Sequence, residues 1–180
     1  MSEMEEIRRD LGLVQIYTGN GKGKTTAALG LALRASGRGL NVLIIQFMKP
    51  DAGYGEHIAC SKIDNITIIP MGLDHFVSNK PSQEDIDAAH ETLAKSEELI
   101  GSGRYDVAIL DEGMNAVRLG LITSKELIDS LDRRPKHVEI VLTGRGMTPE
   151  LEEYADLITE MKLVKHPMDK GIDARKGIEY

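Results

Sequence analysis

The chain has 180 residues, 41% apolar and 28% charged, values that fit a globular protein large enough to bury a substantial core. Its 29 acidic and 22 basic residues leave a net charge of −7, which argues against a partner held by neutralising nucleic-acid phosphates. No apolar run approaches the roughly 20 residues of a membrane helix, and tryptophan is absent, so a membrane span and a base-stacking platform are both excluded. The acidic start, Met1 to Asp10, resembles neither a signal nor a transit peptide. Cys60 has no second cysteine to pair with. These features predict a cytoplasmic protein.

Residues 1–12 read as a charged arm or a short helix. Leu13 to Tyr17 is the first strand, and it runs into Thr18-Gly19-Asn20-Gly21-Lys22-Gly23-Lys24-Thr25-Thr26. Three glycines in five residues let the backbone turn tightly and aim several N–H groups into one space. The following helix adds unpaired N–H groups and the positive end of its dipole. Lys24 supplies a full charge and Thr25 a hydroxyl for magnesium, so the stretch predicts a P-loop for a nucleotide polyphosphate. It departs from G-x-x-x-x-G-K-[ST] at its first position. Thr18 stands there, the glycine follows at Gly19, and a second lysine, Lys22, lies inside the loop. A strand before and a helix after argue against a chance cluster of glycines.

The helix Lys24 to Ser36 is apolar nearly all round, which predicts burial on all sides; Gly37 and Gly39 end it. Val42 to Phe47 is a continuous apolar run, the pattern of a strand covered on both faces. Ile66 to Met71 is a third strand. The loops 49–56 and 72–81 fall at the carboxyl ends of these strands, where ligands bind in α/β sheets. Ser82 and Asp85 cap a long helix whose Ile86, Ala89, Leu93 and Ile100 share one face. Val107 to Leu110 is a fourth strand, closed by Asp111-Glu112. Thr123 and Glu126 cap another helix, with Leu127, Ile128 and Leu131 inward. Val138 to Leu142 is a fifth strand, Pro149 opens a short helix, and Leu157 to Val164 is the last strand. Residues 165–180 look irregular. Strands alternating with helices predict an α/β, P-loop NTPase-like (RecA-like) fold, a mostly parallel sheet with helices on both faces, in one domain over residues 13–180.

Carboxylates that close a buried strand beside a P-loop hold magnesium or its waters, which singles out Asp111, Glu112 or both. Without the P-loop they would read only as a strand end meeting solvent. Arg145 sits on a loop where it can reach a phosphate or simply face solvent. Arg34, ten residues past Lys24, either contacts nucleotide or snorkels out of the core. The five histidines, His57, His75, His90, His137 and His166, show no metal-binding spacing.

Several stretches together resemble the P-loop-type ATP:corrinoid adenosyltransferases. They are Tyr-Thr-Gly-Asn-Gly-Lys-Gly-Lys-Thr-Thr-Ala-Ala at 17–28, Gln-Phe-Met-Lys at 46–49, Leu-Asp-Glu at 110–112 and Leu-Thr-Gly-Arg-Gly at 142–146. Ala-Asp-Leu-Ile-Thr-Glu-Met at 155–161 and the tail Gly-Ile-Asp-Ala-Arg-Lys-Gly-Ile-Glu-Tyr complete the set. The resemblance covers Leu13 to Tyr180 and includes the off-pattern Thr18. It implies that a corrinoid with Co(I) attacks the 5′-carbon of ATP and intact triphosphate leaves, in cobalamin synthesis or salvage. It implies ATP bound in reverse, with the loop gripping the far end of the triphosphate. By carry-over, Gly19, Asn20, Gly21, Lys22, Gly23, Lys24, Thr25 and Thr26 hold ATP. Thr25, Glu112 and Asp111 hold Mg²⁺ or Mn²⁺, Lys24 and Glu112 serve catalysis, and Arg34 and Arg145 are further nucleotide contacts.

Such enzymes are thought to ease reduction to Co(I) by displacing cobalt's lower ligand with an aromatic Phe-x-Trp pair after a glycine. Here Gly72 is followed by Leu73-Asp74-His75 and then Phe76. Leu73 or Phe76 becomes the expected wedge, and His75 a corrinoid contact. The resemblance further implies an external electron donor such as a flavoprotein, and a homodimer. Some relatives carry a longer N-terminal lid helix than the dozen residues available here. The competing readings are a P-loop phosphotransferase or NTPase, and a nucleotide-dependent corrinoid-binding module without turnover.

Overall fold

The computed structural model describes residues 3–51, 53–78 and 80–180. Met1, Ser2, Ala52 and Asn79, which fall in the expected arm and in the two functional-edge loops, lie outside the described residues. Six strands form one sheet: β1 (Val14–Thr18), β2 (Val42–Phe47), β3 (Ile66–Met71), β4 (Val107–Asp111), β5 (Glu139–Thr143) and β6 (Leu157–Glu160). Their order is β3-β2-β4-β5-β1-β6, and every neighbouring pair is parallel. Parallel neighbours need crossover connections, and helices supply them: α2 (Lys24–Ser36), α3 (Gly55–Cys60), α4 (Gln83–Gly101), α5 (Gly113–Arg118), α6 (Ser124–Asp132) and α7 (Pro149–Tyr154), while α1 (Glu3–Arg9) precedes the first strand.

The continuous apolar runs of β2, β4 and β5 are buried residue by residue, because both faces of the sheet are covered. On one face Ala28, Ala32 and Ala35 of α2 pack with Val42, Ile44, Ile109 and Val141. On the other, Leu93 and Ile100 of α4 and Leu127 and Leu131 of α6 pack with Leu43, Ile45, Leu110 and Leu142. The alternation of neighbours along each strand between these two groups is the period-2 rule of the pleat. Both expected capping boxes form, Ser82 with Asp85 and Thr123 with Glu126.

Three expectations change. Helix α2 buries one face, not all of them: Leu33 is 62% exposed while the alanines are covered. Small side chains let that helix lie close to the sheet, while Leu33 stays largely open to solvent. The last strand stops at Glu160, because its ladder partner β1 ends at Thr18 and turns into the glycine loop. Met161 then pairs with that loop instead, donating its N–H to Thr18 O at 2.8 Å and accepting from Gly21 N at 2.7 Å. Helices α3 and α5 stand where only loops were expected, and Pro167–Lys170 forms a 3-10 turn within the tail. Six residues are too few to show helical periodicity. Of the two readings of the N-terminal segment, the short helix is the one observed: α1 is pinned by Arg8, whose Nε donates to buried Asp106 at 2.6 Å.

Candidate active site

The strand register brings Thr18, Phe47, Asp111 and Thr143 to one edge of the sheet, since Gln46 pairs with Asp111 and Tyr17 with Thr143. Every expected nucleotide residue except Arg34 lies along that edge. After β1 the loop turns at Gly19, whose φ of +100° favours glycine. A Cβ there would lie 2.4 Å from Met161 O, so the residue must be glycine on steric grounds as well. Helix α2 starts without a side-chain cap and without an acidic residue in its first turn. Its first turn lines a cavity of about 470 Å³, together with residues 20–23, Lys49, Glu56, Glu112 and Arg145.

Lys24 is 8% exposed and folds back over the loop, donating to Gly19 O at 2.9 Å and Gly21 O at 2.8 Å. Burial, and next the Arg145 guanidinium, push its ammonium below the usual value against the pull of Glu112 and Asp111. Asp111 is 1% exposed and fully engaged. Its Oδ1 accepts from Thr25 Oγ1 and Thr143 Oγ1, both at 2.7 Å, and its Oδ2 accepts from Gln46 Nε2 at 3.1 Å. Thr143 Oγ1 also accepts from Glu112 N at 2.9 Å. Strand β5 lies between β4 and β1, and its Thr143 bridges the carboxylate pair to the loop side of the sheet.

Glu112 has left-handed backbone, φ +62°, an uncommon conformation for a non-glycine residue. Its carboxylate accepts from Asn115 Nδ2, and Asn115 Oδ1 accepts from Arg145 N at 2.7 Å, so one amide fixes both residues. Burial, and then the neighbouring Asp111 charge, push the Glu112 carboxyl up. The Thr25 hydroxyl and the Glu112 carboxylate are hard oxygen donors of the kind Mg²⁺ and Mn²⁺ prefer. Among the described residues no three His, Cys, Asp or Glu side chains converge on one point. A metal here would take its remaining ligands from phosphate and water.

A second cavity, about 460 Å³, opens beside the first. Phe47, Met48, Pro50, Tyr54, Val77 and Leu119 give it an apolar wall, and His75 and Phe76 stand at it. Phe76 is 98% exposed. His75 Nε2 is 2.9 Å from Asp85 Oδ1 in the cap of α4. Leu73 lies apart from these two, in a small space with Met71, Val77 and Ala89. The two cavities share three residues, Thr25, Lys49 and Glu112.

Arg34 is the expected site residue that the fold leaves out. It is exposed in the last turn of α2, ten residues and about 15 Å along the axis from Lys24, in a groove with Leu40, Val107 and Glu139. Two contributors were missed. Lys49 lies at the boundary of the cavities, with Nζ 2.5 Å from Glu56 Oε1 and 4.5 Å from the Tyr54 ring centroid. The tail residues 177–180 wall the nucleotide cavity, and Lys22 Nζ donates to Ile178 O at 3.0 Å and Glu179 Oε1 at 2.8 Å. For Lys49 the signals were its place at the start of the 49–56 loop, at the carboxyl end of a strand, and in a resembling stretch; for the tail only the resemblance.

Fold and site together define an α/β nucleotide-binding protein of the P-loop NTPase type. Solved structures of low sequence identity share this fold. The assembled ATPase EscN of an enteropathogenic E. coli type III secretion system aligns at TM-score 0.55 and 13% identity, over 83% of this chain and 42% of that one. The KaiC-like protein PH0186 of Pyrococcus horikoshii aligns at 0.55 and 17%, over 87% and 75%. Residues 10–180 match the family described as ATP:corrinoid adenosyltransferase BtuR/CobO/CobP, and the chain belongs to that family of transferases. The corrinoid adenosyltransferase of Pseudomonas aeruginosa is 32% identical over 99% of this chain and 88% of its own length. Corrinoid adenosyltransferase CobA of Salmonella typhimurium is 31% identical over 99% and 91%. A Sinorhizobium corrinoid adenosyltransferase is 34% identical over 94% and 80%.

Proposed function

We propose that the loop cavity binds the triphosphate of ATP, that the apolar cavity receives a corrinoid, and that the adenosyl group passes between them. The observation that carries this arrangement is the shared wall of Thr25, Lys49 and Glu112. A donor and an acceptor held on its two sides meet without any domain movement, which replaces a bimolecular encounter by a positioned one. The Co(I) electron pair forms the bond to C5′, the C5′–O bond breaks, and its pair departs on triphosphate. No proton is transferred, so no side-chain base is needed.

Gly19 to Thr26, with Lys22 and Lys24, hold the phosphates, and Arg145 lies where it reaches them from the β5 loop. Thr25 and Glu112 are the proposed protein ligands of Mg²⁺ or Mn²⁺, with Asp111 orienting the Thr25 hydroxyl. When bound, the metal neutralises triphosphate charge. His75 and Phe76 are the proposed corrinoid contacts, with Phe76 as the wedge; Leu73 supports the loop beneath them. A cytoplasmic setting and an external flavoprotein reductant fit this chemistry. A homodimer is supported by the edge strand β6, every residue of which is exposed, and by Leu163 and Val164 just beyond it.

The test is anaerobic incubation of the protein with ATP, Mg²⁺ and chemically reduced cob(I)alamin. The expected products are adenosylcobalamin and triphosphate in equal amounts. Release of ADP or phosphate with an unchanged corrinoid spectrum would overturn the reading in favour of a phosphotransferase.

A further inference from the structure

Lys49 is the one cationic side chain, among the described residues, that lines both cavities. Lys22 is engaged by the tail, Lys24 is bonded to the loop carbonyls, Arg145 lines only the nucleotide side and Arg118 only the apolar side. If adenosyl transfer occurs across this partition, the oxygen that leaves C5′ must lie at it. The phosphates extend from there into the loop, and the cobalt approaches from the other side.

The position of Lys49 is built with care. Met48, immediately before it, has φ +56°, and it shares left-handed backbone only with Glu112 among the described non-glycine residues. These two uncommon conformations flank the same partition, and strained backbone of this kind collects at functional sites. Gly72 permits the close approach of the β3 end, since a Cβ there would lie 2.3 Å from Lys49 N. The ammonium is then held laterally by Glu56 and the Tyr54 ring face. Burial pushes the Glu56 carboxyl up, but hydrogen bonds from Lys49 and its own backbone N–H outweigh this and leave it below its usual value. Glu56 takes one of the three ammonium N–H donors, which leaves two for phosphate oxygens.

We propose that Lys49 is a catalytic residue, whose ammonium neutralises the charge that develops on the triphosphate oxygen as the C5′–O bond breaks. The proposal rests on the adenosyl-transfer reading. The electron balance is that of the displacement itself: the cobalt pair becomes the Co–C bond and the C–O pair goes to the leaving oxygen beside Lys49. The charge grows only as the bond breaks, so the contact is stronger in the transition state than in bound ATP. Glu56 is a positioning residue for that ammonium.

The experiment compares wild type, Lys49→Met and Lys49→Arg in single turnovers with pre-reduced cob(I)alamin. ATP affinity is measured separately by calorimetry. Lys49→Met should lose roughly 100- to 1,000-fold in kcat, the cost of removing one oriented donor to a developing anion, with the ATP Kd changed by less than about threefold. Lys49→Arg should recover part of the rate. Added propylammonium should restore turnover to a Lys49→Ala variant with saturation, which a structural role would not permit. An unchanged kcat in Lys49→Met overturns the proposal. So does a loss of rate that tracks loss of ATP binding, is not rescued by amine and is no smaller for arginine. A wild-type protein that makes no triphosphate overturns the adenosyl-transfer reading, and this proposal with it.

Discussion

Thr25 and Asp111 are 86 residues apart in the chain, yet the Thr25 hydroxyl donates to the Asp111 carboxylate at 2.7 Å. The bond ties the first turn of α2 to the end of β4, across the intervening strand β5. Asp111 accepts from Thr143 and Gln46 as well, so it is the hub on which the two halves of the nucleotide cavity are aligned.

Replacing Asp111 by alanine would leave those three donors without their acceptor in a site 1% exposed. The expected cost is about 1–3 kcal/mol of stability, from desolvated groups left unpaired. Urea unfolding measures it. Thr25→Val should also cost about 1–2 kcal/mol, because it removes a hydrogen bond to the buried Asp111 carboxylate, and it should lower kcat roughly 100-fold if Thr25 is the metal ligand proposed above. Steady-state kinetics over a range of Mg²⁺ concentrations separates the two variants.

Lys22 and Glu179 form a contact that ATP must answer to, because the tail carboxylate occupies a loop lysine from the side of the cavity. Arg175 holds Glu179 and brings its carboxyl down to about 2, with Lys22 contributing next. Glu179 is thus charged throughout pH 5 to 8. Glu179→Gln should free Lys22 for phosphate and tighten ATP binding about threefold, the modest scale of an exposed ion pair. Calorimetry at low and high salt gives the answer, and the gain should shrink as salt rises.

Phe76 and Leu73 are only three positions apart, but the fold sets them in different surroundings. Phe76 projects 98% exposed at the apolar cavity. Phe76→Ala should raise the corrinoid KM or slow Co(II) reduction, with ATP Kd and thermal midpoint unchanged. Leu73 packs in the small space with Met71 and Ala89. Leu73→Ala should cost about 1–2 kcal/mol, scaled down from full-burial truncations because the residue is half-buried, and change corrinoid kinetics less than Phe76→Ala does.

His90 and Glu126 join α4 to the cap of α6, with His90 Nε2 at 3.2 Å from Glu126 Oε1. The Thr123 backbone and side-chain hydrogen bonds, then His90, bring the Glu126 carboxyl down to about 2. Its contribution to stability is full above its ordinary value of 4.5 and is lost as pH falls toward about 2. The Ile86 carbonyl and then Glu126 raise His90, so its contribution is full below 6.5 and is lost as pH rises through the raised value. The pair therefore stabilises most between pH 4.5 and 6.5. His90→Ala should lower the thermal midpoint over that window and approach wild type only as the pH passes the raised value of His90. Scanning calorimetry across pH 3 to 9 checks the shape.

Local signals carried much of this protein in its sequence. The apolar runs of β2 and β4 marked strands covered on both faces. Ser82 with Asp85 and Thr123 with Glu126 marked helix starts. The glycines of residues 19–23 with Lys24 and Thr25 marked a phosphate loop, because tight turns and unpaired helix N–H groups are properties of a few consecutive residues. The tertiary structure decided the rest. Sheet order put β5 between β4 and β1, so that Thr143 bridges Asp111 to the loop side. It carried the tail back to Lys22 across 157 residues and set Lys49 at the wall between two cavities. It also removed Arg34 from the site, because ten residues of helix carry a side chain to the far end of the sheet. Contacts between parallel strands and their crossovers join distant segments, and no periodicity or cap within one segment encodes which distant segment it will meet.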